Sequence, residues 1–291
     1  MMKKVNLLVL LFFVGTVSMA QQQGTDIYLF SFKIDQNQFS LSNARNITNS
    51  PGYDNQPYFL PDGESLLYSS DDGFGQTDIY RYNISARSER RLTFTPNSEY
   101  SPTITPDGKY FSCIILERSG DQYLWKYPLN GAVPRKLSEV QPIGYHCWIN
   151  PNLVSVFIVG EPNTLNFIDL TDDSIEEIAK SPGVTFSMIP ATTDKMSYMD
   201  ISDEHNWVLK NLNIKSKEST AIVKAIKKFP YYAWTPSGIL LSGDGKRIYK
   251  FDPATDTDWV ELANLGDYGV KEFTRITVSP KGDLLAVVVT E

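Results

Sequence analysis

A motif centred on proline recurs six times along the 291 residues at a nearly constant interval. The segment NQPYFLPDGESLLYSS, which begins at Asn55, aligns with YSPTITPDGKYFSCII, which begins at Tyr100. Successive prolines are 45, 45, 39, 46 and 44 residues apart, and an apolar side chain stands two positions before each of them. The six are Pro61, Pro106, Pro151, Pro190, Pro236 and Pro280. A repeat of this length indicates one supersecondary unit that stacks on its own copies.

Each repeat has the pattern of a small antiparallel sheet. Pro-Asp-Gly favours a tight turn, because proline presets a negative φ and glycine accepts a positive one. A first strand runs into this turn and a return strand such as Tyr110–Leu116 leaves it. Third and fourth strands are indicated by Asp78–Tyr82 and Arg91–Thr93. Four strands per repeat predict an all-β fold, a six-bladed β-propeller of four-stranded antiparallel blades. A β-sandwich with accidental similarity between its turns is the alternative.

The two ends of the chain predict how the ring closes. After Pro280 there is room for only one more strand, so the last repeat lacks its third and fourth strands. Asp26–Phe30 resembles the third strand of the first full repeat, and Ala44–Thr48 resembles its fourth strand. We therefore expect the N-terminal strands to complete the last blade and remove the open sheet edges. Residues 21–291 are then a single domain.

The first twenty residues have the features of a secretory signal. Lys3 and Lys4 precede an apolar run over residues 5–17, and Ser18 and Ala20 are small residues before a cleavage point. An uncleaved membrane anchor is the alternative, although the run is shorter than the roughly 20 residues of a spanning helix. No second segment approaches that length. We expect a signal peptide at residues 1–20, no membrane span after its cleavage, and a periplasmic or secreted protein that is a monomer.

Composition excludes two broad classes of function. Hydrophobic residues make up 42% of the chain and charged residues 21%, which is enough apolar material for a core and excludes general disorder. The net charge is -7. Binding to nucleic acid requires clustered Lys and Arg against the phosphates, so no nucleic-acid partner is expected.

The repeats resemble those of TolB-type six-bladed propellers. SPTITPDG, QPYFLPDG and GQTDIYRY followed by RRLT carry the resemblance, which covers residues 24–291. It is weaker in the third to fifth repeats, where Asn152, Ala191 and Ser237 replace the aspartate. The resemblance implies a periplasmic propeller that binds a protein or another cell-envelope component through loops at one end of its channel. TolB's own partners are not implied, because the extra N-terminal domain of TolB has no counterpart in this sequence.

The sequence contains no established catalytic motif. It has no Gly-x-Ser-x-Gly elbow, no His-Glu-x-x-His and no phosphate-binding loop. His205 falls in a predicted turn, where a solvated histidine is expected. No metal and no cofactor are therefore predicted. Cys113 and Cys147 fall on predicted strands of neighbouring blades, and both a disulfide and two free thiols stay open.

The segments before the six first strands form the candidate binding site. All first strands run in the same sense, so these segments meet at one mouth of the channel. Tyrosines supply rigid contact area with a polar tip, and His146 and Arg275 add donors. We predict a non-catalytic site for a protein, peptide or glycan at Asp54, Asn55, Tyr100, Tyr145, His146, Tyr231 and Arg275. Packing of these rings between blades is one alternative; the other is a polysaccharide-acting enzyme similar to oligogalacturonate lyases, with His146 as base and Arg275 on a sugar acid.

Overall fold

Six four-stranded antiparallel sheets form the fold, as predicted. The computed structural model describes residues 24–35, 38–71, 73, 75–130 and 133–290. The predicted signal peptide at residues 1–20 lies outside them. Blade 1 contains β3 (Asp54–Phe59), β4 (Ser65–Asp71), β5 (Thr77–Asn83) and β6 (Ser88–Arg91). Blade 2 contains β7 (Ser98–Ile104), β8 (Tyr110–Leu116), β9 (Gln122–Pro128) and β10 (Arg135–Lys136).

The next three blades follow the same order along the chain. Blade 3 contains β11 (Ile143–Asn150), β12 (Leu153–Ile158), β13 (Thr164–Asp169) and β14 (Ser174–Lys180). Blade 4 contains β15 (Pro182–Met188), β16 (Lys195–Asp200), β17 (Val208–Asn213) and β18 (Ser219–Lys224). Blade 5 contains β19 (Tyr232–Trp234), β20 (Leu240–Gly243), β21 (Arg247–Phe251) and β22 (Val260–Asn264), followed by a short 3₁₀ helix, Leu265–Tyr268.

Blade 6 joins the two ends of the chain. Its inner strands are β23 (Phe273–Val278) and β24 (Leu284–Thr290), and its outer strands are β1 (Thr25–Asp35) and β2 (Gln38–Asn46). The register between β1 and β24 runs from Thr25 opposite Thr290 to Ser31 opposite Leu284. The predicted closure by the N-terminal strands is confirmed.

Burial follows from the place of each strand within its blade. The second strand lies between the two neighbouring blades, so both of its faces are covered, and the mainly apolar run Phe111–Ile115 of β8 is fully buried. The outermost strand faces solvent, and the polar sequence SIEEIAK of β14 is mostly exposed. Six clusters of buried apolar side chains result, one at each interface between adjacent blades.

The Pro-Asp-Gly turns have the predicted conformation. Gly63 and Gly108 adopt φ values of 70° and 68°, and the corresponding glycines of the fifth and sixth repeats, Gly238 and Gly282, are also at positive φ. In the fourth repeat the left-handed residue is Ala191, with φ 58°. His205 lies exposed between β16 and β17, as expected from the sequence.

A second repeated element joins each third strand to the segment after the fourth strand. In blade 1 the Thr93 hydroxyl accepts a hydrogen bond from Ile79 N (2.8 Å) and donates to Asp78 Oδ1 (3.0 Å). The same bonds recur in blade 6, where Ile27 N donates to Thr48 and Thr48 donates to Asp26. The Asp-Ile-Tyr and Leu-Thr (or Ile-Thr) segments therefore hold the outer strand to its blade in blades 1 and 6.

Candidate functional site

A central channel runs between the first strands of the six blades. Its cavity measures about 390 Å³ and receives side chains from β3, β7, β11, β15, β19 and β23 or the residues just before them. One position of the repeat supplies six of these side chains, which we call the channel ring: Gln56, Ser101, Tyr145, Thr185, Tyr231 and Arg275. Two ring members from opposite blades, Tyr145 and Arg275, meet across the channel.

Arg275 reaches across the channel to the opposite blade. Its Nη2 donates a hydrogen bond to the Tyr145 hydroxyl at 3.1 Å, from blade 6 to blade 3. Its guanidinium carbon also lies 5.4 Å from the centre of the Tyr145 ring and 4.7 Å from that of Tyr231. Both distances fall within the range of cation–π attraction. The sequence placed these three residues at one mouth, and the structure brings them together.

Two further tyrosines lie beside this cluster. The rings of Tyr53 and Tyr100 meet edge to face, with centroids 6.3 Å apart. Burial raises the pKa of Tyr53 far above its usual range, the positive charge of Arg275 opposes that shift, and Tyr145, Tyr100 and Tyr231 reinforce it. Tyr53 was not among the predicted site residues, although it occupies the segment before β3. We call Tyr53, Tyr100, Tyr145 and Tyr231 the mouth tyrosines.

Asp54 and Asn55 lie outside this cavity. Asp54 is 1% exposed, and its Oδ2 accepts a hydrogen bond from the Ser50 hydroxyl at 2.6 Å. Burial raises the pKa of Asp54 and the Ser50 hydrogen bond opposes that shift. The Asn55 side chain accepts from the backbone of Gln56 at 2.8 Å. The predicted binding role of these two residues stays a prediction, because their contacts are with their own strand and the loop before it.

His146 lines the cavity and is held from the blade 2 side. It is 8% exposed, and its Nε2 lies 2.6 Å from Ser112 Oγ. That oxygen also accepts from Trp148 Nε1 (2.8 Å) and donates to Thr103 O (3.1 Å). A hydroxyl has a single proton, so the remaining partner, Nε2, must be the donor. Nδ1 is then a bare acceptor, and it has no hydrogen-bond partner among the described residues.

The same bonds recur at the interface between blades 4 and 5. There Ser197 Oγ accepts from Tyr232 Oη at 2.9 Å and from Trp234 Nε1 at 2.8 Å. The pair His146 and Trp148 therefore corresponds to Tyr232 and Trp234, two residues apart in both first strands. This shared spacing was the sequence signal for a structural contact at His146. The imidazole thus has one nitrogen in an inter-blade contact and one without a protein partner.

Gln56 and Ser101 are site residues that the sequence analysis missed. Both adopt positive φ, 58° and 54°, at bulges in β3 and β7. Gln56 Oε1 accepts hydrogen bonds from Ser101 N (2.6 Å) and from the Ser69 hydroxyl (3.0 Å), whereas the buried Ser101 Oγ has no partner. Both residues stand five positions before the proline of their repeat, and that shared spacing is the signal that could have found them.

Cys113 and Cys147 do not form a disulfide. Cys113 is buried in the interface between blades 1 and 2, and Cys147 lines the channel; both thiols are free. Burial raises the pKa of Cys147 to about 11, so the thiolate that would act as a nucleophile is scarce at neutral pH. Among the residues that the structure describes, no group of three His, Cys, Asp or Glu side chains is placed to hold a metal ion.

Comparison with known proteins agrees with the repeat analysis. Residues 16–156 match the family model of the TolB beta propeller domain. A TolB-type protein from Agrobacterium tumefaciens superposes with a TM-score of 0.67 at 15% identity, over 93% of this chain and 99% of that one. The chain is a six-bladed propeller that resembles those of TolB-type proteins. TolB from Acinetobacter baumannii superposes with a TM-score of 0.61 at 12% identity, over 91% of this chain and 64% of that one.

One of the similar solved structures is an enzyme. An oligogalacturonate lyase in complex with manganese superposes with a TM-score of 0.60 at 13% identity, over 85% of this chain and 80% of that one. Identities this low establish a common fold only. No curated protein matches the sequence.

Proposed function

We propose that this protein is a non-catalytic binding module that recognises a protein, peptide or glycan of the cell envelope at the tyrosine-bearing mouth of its channel. One observation carries the proposal: Arg275, unpaired with any carboxylate of the described chain, sits among aromatic rings at the entrance of a cavity of about 390 Å³. Aromatic rings around a few convergent polar groups are typical of binding sites.

A role as a polysaccharide-acting enzyme has less support from the same residues. Burial lowers the pKa of His146 to about 3, which makes its neutral imidazole a weak base. General bases work best when their pKa lies near the working pH. The described residues that line the cavity include no Asp, Glu or Lys side chain that could serve as the base instead.

We also propose that the protein is a monomer in the periplasm or outside the cell. The predicted signal peptide at residues 1–20 and the resemblance to TolB-type propellers support this location. No helix within the described ranges is long and apolar enough to cross a membrane. Cell fractionation with a C-terminal tag tests the location, and recovery in the cytoplasmic fraction contradicts it.

The binding proposal is tested by affinity capture from an envelope extract. We expect the wild-type protein to retain a defined component and the double variant Tyr145→Ala, Arg275→Ala to lose it. The melting temperature serves as the control, because both side chains are half-buried at the mouth and their loss should cost about 1 kcal/mol or less. Undiminished capture by a stable double variant refutes the proposed site.

A further inference from the structure

Arg275 carries a charge that no group in the described structure neutralises. Every ion pair found there involves other residues, and the partners of the Arg275 guanidinium are the Tyr145 hydroxyl and the faces of two rings. A guanidinium presents five N–H donors in a planar fork, a shape that matches a carboxylate. Most of those donors remain available for a ligand.

Two buried polar atoms of residues that line the same cavity also lack hydrogen-bond partners among the described residues. They are Ser101 Oγ and His146 Nδ1, on neighbouring blades 2 and 3. The serine hydroxyl is able to donate, whereas the imidazole nitrogen is restricted to accepting because its proton is on Nε2. Buried polar atoms without a partner cost free energy, so a ligand that pairs with both gains affinity. A ligand that satisfies these groups therefore carries an anionic hydrogen-bond acceptor and one hydrogen-bond donor.

Building on the proposed function, we infer that the channel mouth binds the free C-terminus of a peptide whose last side chain is apolar. The terminal carboxylate pairs with Arg275 and accepts from Ser101, and a backbone N–H of the peptide donates to His146 Nδ1. Apolar side chains that line the same cavity, among them Met188, Trp234 and Val278, cover the last side chain of the ligand. A volume of about 390 Å³ accommodates one or two residues.

A peptide end fits the hydrogen-bonding capacity of the channel better than a sugar acid. A uronic acid unit brings several hydroxyl groups besides its carboxylate, and each needs a partner when buried. Two polar side chains at or behind the channel wall are already engaged: Gln56 Oε1 accepts two hydrogen bonds, and Ser112 Oγ has all three of its positions filled. A peptide end brings fewer polar groups than a uronic acid, so fewer of them need a partner in the channel.

Isothermal titration with a matched pair of probes tests the inference. The probes are N-acetyl-Gly-Leu with a free carboxylate and the same dipeptide as its C-terminal amide, with galacturonic acid as a third ligand. We expect the acid to bind the wild-type protein at least tenfold more tightly than either other probe. Equal binding of acid and amide overturns the inference, and so does tighter binding of galacturonic acid.

Two variants and one control test which side chains contact the C-terminus of the peptide. Arg275→Gln should reduce acid binding at least tenfold, to the level of the amide, whereas Arg90→Gln, on the exposed face of β6, should leave it unchanged. His146→Tyr keeps a hydrogen-bond donor for Ser112, as in the Tyr232 contact with Ser197, but removes the imidazole nitrogen that has no partner. This variant should also bind the acid more weakly than the wild type. Full binding by Arg275→Gln overturns the inference. The acid and amide comparison needs no variant, so it decides the question even where a substitution prevents folding.

This result is separable from that of the capture experiment. If capture depends on Tyr145 and Arg275 while the acid and the amide bind alike, the carboxylate inference fails and the channel-mouth proposal stands. If capture is undiminished in the double variant, the channel-mouth proposal fails.

Discussion

Glu99 makes the stability of the propeller depend on pH, and the substitution Glu99→Gln should remove that dependence. The side chain is fully buried between blades 1 and 2, and Glu99 is the residue before the mouth tyrosine Tyr100. Its carboxylate oxygens accept from Thr95 Oγ1 (2.5 Å) and from the Tyr127 hydroxyl (3.2 Å). Burial raises the pKa of Glu99 from 4.5 to about 7; the Thr95 hydrogen bond opposes the shift and the charge of Asp78 reinforces it.

The sign of this pH dependence follows from whether the native or the unfolded protein holds the Glu99 proton. Between pH 4.5 and 7 the unfolded chain has lost the Glu99 proton and the native protein still holds it. The free energy of unfolding therefore falls as the pH rises through this window, at about 1.4 kcal/mol per pH unit. Over the whole window the loss approaches roughly 3 kcal/mol. Above pH 7 both states are ionised and the loss levels off.

Thermal melting of the two proteins across pH 4.5 to 8.5 provides the assay. Glutamine is neutral throughout, and its amide oxygen still accepts from Thr95 and Tyr127. We expect similar melting temperatures for the two proteins near pH 4.5 and a more stable Glu99→Gln protein near pH 8. Glu177→Gln, on the exposed strand β14, is the control and should follow the wild type. A constant difference between wild type and Glu99→Gln at every pH refutes the reasoning.

Two further predictions concern the fold. Deleting residues 21–50 removes β1 and β2 and exposes both neighbours of blade 6, so a single cooperative transition in circular dichroism should be lost; an unchanged melting curve contradicts the closure. Gly108→Val should lower the free energy of unfolding by about 1–2 kcal/mol, because φ is 68° there while a Cβ meets no atom within 4 Å. Lys109→Val, in the same exposed turn, is the control and should be nearly neutral in urea denaturation.

The fold was predictable because its determinants repeat. The interval between the prolines counted the blades, and the likeness between Asp26–Phe30 and the third strand of blade 1 predicted the closure that β1 and β24 make. Boundaries were less certain where pairing depends on the tertiary structure: the predicted strand Arg91–Thr93 ends at Arg91 in β6, since Leu92 and Thr93 turn inward to bond Ile79.

The candidate site was predictable in part, for a different reason. Counting back from a first strand locates the mouth, and this placed Tyr145, Tyr231 and Arg275 correctly near one another. It could not tell which neighbouring side chains point into the channel. Asp54 directs its carboxylate to Ser50, while the adjacent Gln56 turns into the cavity at a bulge. Side-chain direction at a bulge depends on local backbone geometry that residue type does not encode.

The channel ring suggests how the repeat separates folding from recognition. Five ring members lie five residues before the proline of their repeat, and Tyr145 lies six before Pro151 because β11 has an irregularity between Trp148 and Asn150. Near the turn the repeat is restrictive, since positions there form the turn and the inter-blade core. At the ring position it admits Gln, Ser, Tyr, Thr, Tyr and Arg, six side chains with different chemistry on one circle. Because the backbone stays the same while the channel ring varies, substitutions in the ring can change the ligand without disturbing the propeller. Exchanging ring residues should therefore alter ligand binding far more than the free energy of unfolding.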